Sequence, residues 1–188
     1  MSKRIFFAFP LDDVLQSKVV GWEKEFKKRT NIPVRWTEPH DLHITLIPPW
    51  SVEEHHIDFL KGLLLPTISN TISFEIELTR VQFGPTAHAP RLIWIEGPMP
   101  PVMQELGEQM ERILKNANVN FHPERRPFEL HVTLARFQPE AFASFSVQEL
   151  DEGVHFFGTA SSVVIMQSIL GFGGAEYKVL HHYLLKEQ

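Results

Sequence analysis

Two histidine–threonine pairs stand out in this sequence as groups able to do chemistry. One five-residue phrase occurs twice, as Leu42-His43-Ile44-Thr45-Leu46 and as Leu130-His131-Val132-Thr133-Leu134, with starts 88 residues apart. The chain holds 10 histidines in 188 residues. Once a leucine is required on each flank, chance supplies about 0.005 copies of such a phrase, so a pair is no accident. In a strand, successive side chains alternate faces. Leu42, Ile44 and Leu46 then point into a core, while His43 and Thr45 share the other face with Cβ atoms roughly 6.5–7 Å apart. Leu130, Val132 and Leu134 present His131 and Thr133 in the same way. An imidazole, with an ordinary pKa of about 6.5, takes or gives a proton near neutrality. Two of them across a groove supply a base for the attacking group and an acid for the departing oxygen, each typically worth about 10²–10⁴-fold. The threonine hydroxyls can donate to non-bridging oxygens as charge builds there. This constellation suits a phosphodiester, and it needs no metal if the leaving alkoxide is protonated as it departs.

The elements that must carry these pairs are legible in outline. Residues 4–9 read as a short apolar strand. Asp12 or Asp13 caps a helix to about Arg29, with Leu15, Val19, Trp22 and Phe26 on one face. A strand at 42–47 is expected to stop at Pro48-Pro49. Ser51 and Glu54 form a capping box for a helix near 52–65, ended by Pro66. Ile72, Phe74, Ile76 and Leu78 alternate as in a half-buried strand, and Leu92 to Ile95 form another. Pro100-Pro101 opens a helix to about Ala117, with Leu106, Met110, Ile113 and Leu114 inward. Strands near 130–137, 159–169 and 176–185 follow, the last two joined by a turn at Gly171-Phe172-Gly173-Gly174. Few helices and many consecutive strands predict an α+β fold with antiparallel sheets.

Composition sets the outer limits. At 188 residues one domain is expected, spanning 1–188 as two interlocked lobes. The 43% hydrophobic and 22% charged fractions are those of an ordinary globular protein. A net charge of −5 argues against coating polyanions, although one phosphate in a cleft needs only a few local donors. The absence of cysteine excludes disulfides and Cys-ligated metals. No apolar run approaches the ~18 residues of a membrane span. The run after Lys3-Arg4 ends at Asp12-Asp13 without a small-residue cleavage site, and reads as a buried strand rather than a signal peptide. A cytoplasmic monomer without membrane contact is expected.

Other features carry less. Arg136, five residues after His131, is either a phosphate contact or a solvated strand end. Trp50 either stacks on a nucleobase or closes the core behind the prolines, and Phe7 has the same two readings. Arg125 and Arg126 read as a solvated turn pair able to guide an RNA backbone. His55-His56 and His181-His182 lack the spacing of a zinc site, so no metal is expected. His40, His88, His122 and His155 are taken as surface or turn residues. Gly171-x-Gly173-Gly174 lacks the Lys-Ser/Thr of a phosphate loop, and no Gly-x-Ser-x-Gly elbow occurs.

At the paired motifs the sequence resembles the two-histidine phosphoesterase superfamily, and within it the RNA 2′,3′-cyclic phosphodiesterases, also called the 2′-5′ RNA ligase family. The likeness extends to Arg4-Ile5-Phe6-Phe7-Ala8-Phe9-Pro10, Trp36, Arg91-Leu92-Ile93-Trp94, Arg126-Pro127-Phe128, Ala135-Arg136, Ser168-Ile169-Leu170 and Tyr177. It implies a bilobal fold, two pseudo-symmetric antiparallel sheets with outer helices framing a central cleft. It implies hydrolysis of an RNA-terminal 2′,3′-cyclic phosphate to a 2′-phosphate, with no cofactor. His43 would be the general acid on O3′, His131 the general base on water, and Thr45, Thr133 and Arg136 the phosphate-binding groups. Run in reverse, the same chemistry joins RNA ends through a 2′-5′ bond. The partners implied are RNA 3′ ends or small nucleotides bearing a cyclic phosphate. Where many relatives continue the first motif with Phe-Leu-Gly-Glu, this chain has Ile47-Pro48-Pro49-Trp50, which changes the cleft rim. Two other functions compete, the first of them supported by this altered rim. One is a phosphodiesterase acting on another nucleotide, such as a 2′-5′ oligonucleotide or an ADP-ribose cyclic phosphate. The other is a non-catalytic module that binds RNA ends.

Overall fold

Among the described residues the β-branched and aromatic runs form nine strands, and three helices cover one face of the sheet they make. The computed structural model describes residues 1–86, 89–123, 129–171 and 174–187. The strands are β1 (Ser2–Pro10), β2 (Arg35–Trp36), β3 (His43–Glu53), β4 (Phe74–Gly84), β5 (Leu92–Glu96), β6 (His131–Arg136), β7 (Asp151–Ala160), β8 (Ser162–Gly171) and β9 (Gly174–Leu184). The helices are α1 (Asp13–Arg29), α2 (Ile57–Asn70) and α3 (Pro101–Asn116). The fold is α+β, as expected. Among the described residues no helix is long and apolar enough to cross a membrane.

The strand order is β7-β4-β5-β6-β3-β1-β8-β9, antiparallel in these pairings, with β2 added to β6. Two four-stranded halves, each ending inward on a motif strand, meet where β3 touches β6 at the single pair Ile44–Val132. The two sheets implied by the resemblance are thus continuous through one residue pair. Beyond that pair the motif strands separate, and the groove opens between them.

Alternation sorts side chains between the two faces. Ile5, Phe7 and Phe9 of β1 enter the main core with Leu15, Val19 and Phe26 of α1, Leu60 and Leu64 of α2, and Leu106 and Met110 of α3. Phe6 and Ala8 point the other way, against Val164 and Met166 of β8. The helices therefore cover one face, and the opposite face is left for the site. Asp12 pins α1 in place: Oδ1 accepts from Leu15 N at 2.8 Å as the helix cap, and Oδ2 accepts from Thr159 N on β7 at 2.6 Å.

Several sequence expectations are corrected. Pro48-Pro49 does not end the strand, because β3 runs on to Glu53. The prolines fall where the β1–β3 register is irregular, between Ile47 opposite Phe7 and Trp50 opposite Ile5, so no ladder donor is lost. Ser51 and Glu54 form no capping box: Ser51 stays in β3, Glu54 accepts from Lys3 Nζ at 2.6 Å, and α2 begins at Ile57 after a 3₁₀ turn. Pro66 lies inside α2 rather than ending it. It and Gly62, four residues earlier, are both exposed, so solvent can satisfy the freed carbonyl. The strand expected at 159–169 straddles two strands: β7 occupies Asp151–Ala160, and β8 begins only at Ser162. On β7 the inward positions are Glu152, Val154, Phe156 and Gly158, so its alternation is not an apolar one. Glu152 instead pairs with Arg29 at 2.7 Å and accepts from Trp22 Nε1 at 3.0 Å.

Candidate active site

The motif strands do what their periodicity requires. Leu42, Ile44, Leu46, Leu130, Val132 and Leu134 are buried, while His43, Thr45, His131 and Thr133 are half-buried on the helix-free face. With Ile44 opposite Val132 in an antiparallel pair, His43 lies alongside Thr133, and Thr45 alongside His131. Each imidazole is thus neighboured by the threonine of the other motif. All four line one groove of about 490 Å³.

Both rings are fixed alike. His43 Nδ1 lies 2.6 Å from Asp41 O, and His131 Nδ1 lies 3.0 Å from Glu129 O. A carbonyl only accepts, so Nδ1 must carry the hydrogen and donate it, which leaves Nε2 of each ring as the free basic atom. Each ring also packs on an aromatic from the next strand, His43 on Phe6 at 5.0 Å and His131 on Trp94 at 4.7 Å. The two motifs are therefore near-copies in hydrogen bonding and packing.

Their surroundings are not copies. Burial pushes His43 down from 6.5 to about 4, with the positive charge of Arg136 and the neighbouring His131 adding to the effect. Tyr177 meets His43 edge-on at 5.1 Å and Phe6 at 5.5 Å, closing a three-ring cluster on that side.

Arg136 reaches the groove through a backbone irregularity. Five residues separate it from His131, an odd number, so plain alternation would aim it at the core. The β5–β6 register shifts between Ile93 opposite Ala135 and Trp94 opposite Thr133, skipping Leu134. This bulge puts Leu134 and Ala135 both in the core and returns Arg136 to the groove face.

Trp50 and Phe7 are not in the groove. They are 1% and 0% exposed and stack on each other at 5.9 Å. The base-stacking reading of both is corrected, and Trp50 closes the core behind the prolines. Phe6, one residue away, lines the groove instead. In a run of Phe-Phe-Ala-Phe the sequence does not distinguish the two faces. Tyr177, Ser168 and Arg4 also line the groove. None of the three has a partner at motif spacing, so nothing local in the sequence marks them as groove residues. His88, Arg125 and Arg126 lie outside the described residues, as do Pro127, Phe128, Phe172 and Gly173. His55 and His56 stand with ring centroids 4.0 Å apart, and among the described residues no three metal-binding groups converge.

A family model described as the 2′-5′ RNA ligase superfamily matches residues 16–168. The chain is 32% identical over 156 residues to an RNA 2′,3′-cyclic phosphodiesterase of Aeropyrum pernix, covering 81% of this chain and 86% of that protein. It is 30% identical over 102 residues to a Bacillus subtilis protein of the same name, covering 54% of this chain and spanning 55% of that protein's length. In fold it is similar to E. coli LigT complexed with 3′-AMP, with a TM-score of 0.75 at 21% identity over 98% of this chain and 99% of that one.

Proposed function

This chain belongs to the 2′-5′ RNA ligase superfamily, and on that premise we propose that it hydrolyses the 2′,3′-cyclic phosphate at an RNA 3′ end to a 2′-phosphate. The observation that carries the reading is the pair of His-x-Thr motifs on one face, with both Nδ1 atoms committed to carbonyls and both Nε2 atoms free in the same groove. The names of the Aeropyrum and Bacillus relatives agree with it. The 3′-AMP bound by LigT is a nucleotide with a phosphate on its ribose.

Thr45, Thr133 and Arg136 hold the non-bridging oxygens of the cyclic phosphate, where charge builds in the transition state. His131 Nε2 takes a proton from water, whose oxygen bonds to phosphorus opposite O3′. The P–O3′ bond breaks, and O3′ takes the proton of His43 Nε2. One water is consumed, and the product carries a 2′-phosphate and a free 3′-hydroxyl. Solvent then returns His131 and His43 to their starting forms. No metal is required, since the departing oxygen leaves as a hydroxyl. The reverse sequence, with a 5′-hydroxyl in place of water, joins RNA ends through a 2′-5′ bond.

His43 titrates at about 4 in the free site, so near neutrality it is unprotonated before substrate arrives. The anionic phosphate supplies the negative charge that favours its protonated form. His43 thus acquires the proton it donates as the substrate binds.

Phosphorus NMR of a dinucleotide ending in a 2′,3′-cyclic phosphate, incubated with the protein in EDTA, tests the reading. A 2′-phosphate product, absent with His131→Ala, is expected. A 3′-phosphate product would reverse the leaving group and the roles assigned to the two histidines. No turnover with tight binding would favour an RNA-end-binding module.

A further inference from the structure

The groove does not end at Arg136. A second pocket of about 280 Å³ adjoins it, and Arg136, Ala175 and Tyr177 line both. Arg35, Glu38 and Asp41 line the rest of this second pocket with Trp36 and Thr37. Strand β2 is short, but it pairs β6 with Arg35 directly opposite Arg136. Opposed residues of an antiparallel pair share a face, with Cα atoms about 4.5–5.5 Å apart. Two guanidinium side chains therefore rise together at the junction of the pockets. Arg35 is held there by donation to Ala175 O at 3.0 Å, and it lies so close across Gly174 that a Cβ on that residue would overlap Nη1.

Neither arginine has a carboxylate within ion-pair distance among the described residues. Like charges side by side repel, and an anion between them relieves that cost. Glu38 and Asp41 line the same pocket, so its formal charge sums to zero. That balance disfavours a dianionic phosphomonoester. It suits a phosphodiester, which carries one negative charge and is flanked by ribose hydroxyls: arginine forks take the non-bridging oxygens, and carboxylates accept from hydroxyls.

An RNA that ends in a cyclic phosphate continues from the reacting ribose only on its 5′ side. We propose that the adjoining pocket holds the phosphodiester on the 5′ side of the terminal nucleotide against Arg35, with Arg136 at the junction shared between that diester and the cyclic phosphate. This rests on the hydrolytic reading of the main groove and adds a length requirement to it. Substrates of two or more nucleotides are preferred over a cyclic mononucleotide, and Arg35 sets that preference.

Calorimetric binding tests the subsite. The probes are a diadenosine dinucleotide with a terminal 2′-phosphate and the same molecule with an uncharged methylphosphonate linkage. Both resemble product, so binding is measured without turnover. The diester is expected to bind roughly tenfold more tightly, by an amount that shrinks at high salt, as for charge-assisted contacts. Arg35→Gln should reduce the ratio to near one, and Arg35→Lys should keep part of it. Equal affinities for the unaltered protein would overturn the proposal, and that comparison needs no variant to fold. Equal affinities that both exceed the affinity for adenosine 2′-phosphate would overturn it by assigning the pocket to a base or ribose. If the tenfold ratio holds but the corresponding cyclic phosphate is not hydrolysed, the hydrolytic reading fails while the subsite stands.

Discussion

The imidazoles of the groove are tied to carbonyls two residues upstream, so each exposes one nitrogen of known tautomer. If His43 and His131 act as one acid–base unit, either single alanine variant loses about 10²–10⁴-fold in kcat. The double variant then loses little more, because members of a unit are not additive. Multiplied losses in single-turnover assays would contradict this. The depressed value of His43 carries a sign. Its cationic form is disfavoured by burial first and by Arg136 next, so removing the Arg136 charge raises its pKa. In Arg136→Gln the His43 ring should titrate above 4 by NMR, and the acid limb of kcat/KM should move to higher pH with it. Trp50 supplies the converse test. Its Nε1 is buried and has no hydrogen-bond partner among the described residues, so Trp50→Phe removes an unsatisfied donor at the cost of some ring volume. A stability change of about 1 kcal/mol or less, with kcat/KM unaltered, is expected; a large rise in KM would return Trp50 to the groove.

Strand irregularities and helix anchors decide where those residues sit. The bulge at Leu134 brings Arg136 to the groove, and the irregularity opposite Phe7 lets β3 pass through two prolines. Helix α1 is set by a glycine on the far edge strand. A Cβ on Gly158 would lie 2.6 Å from Asp12 Oδ1 and would overlap Leu15. Gly158→Ala should therefore push α1 off β7 and cost about 1–3 kcal/mol, the usual range for overpacking. Urea denaturation checks this, with a lowered midpoint expected and kcat/KM little changed under conditions where the variant is folded. An unchanged midpoint would mean that α1 shifts freely and that Asp12 is not its anchor.

At the scale of the molecule, the two halves of the sheet touch at one residue pair, yet the chain crosses between them. Helix α1 follows β1 in one half and docks on β7 in the other. Both motif strands share a single main core with all three helices. One cooperative unfolding transition is expected, coincident by tryptophan fluorescence and circular dichroism; two separated transitions would make the lobes independent. The depressed His43 pKa gives that transition a pH dependence. The unfolded ring titrates near 6.5 and the folded one at about 4, so between these values the unfolded state binds the extra proton. Stability falls as pH drops through that window, with a slope of at most about 1.4 kcal/mol per pH unit from this group. His43→Gln should lose less stability than the unaltered protein between pH 7 and pH 5.

The sequence alone determined what is local and periodic. Alternation in Leu-His-Ile-Thr-Leu and Leu-His-Val-Thr-Leu fixed which side chains are buried and which are presented. A cap at Asp12 or Asp13, the opening of α3 at Pro100-Pro101 and the alternating strand through Phe74, Ile76 and Leu78 were legible because each depends on neighbours within a few residues, although Ile72, read into the same strand, lies outside β4 and is exposed. Tertiary structure decided whatever depends on a partner strand. Phe6 rather than Phe7 faces the groove because the helices pack on the other face of β1 and take Ile5, Phe7 and Phe9 into the core, which a run of apolar residues does not encode. Arg136 points into the groove because β5 pairs β6 with a skipped residue. Trp50 is core because β1 pairs past the prolines. Arg35 stands beside Arg136 because a two-residue strand happens to close on β6, a contact across about 100 residues that no local spacing announces.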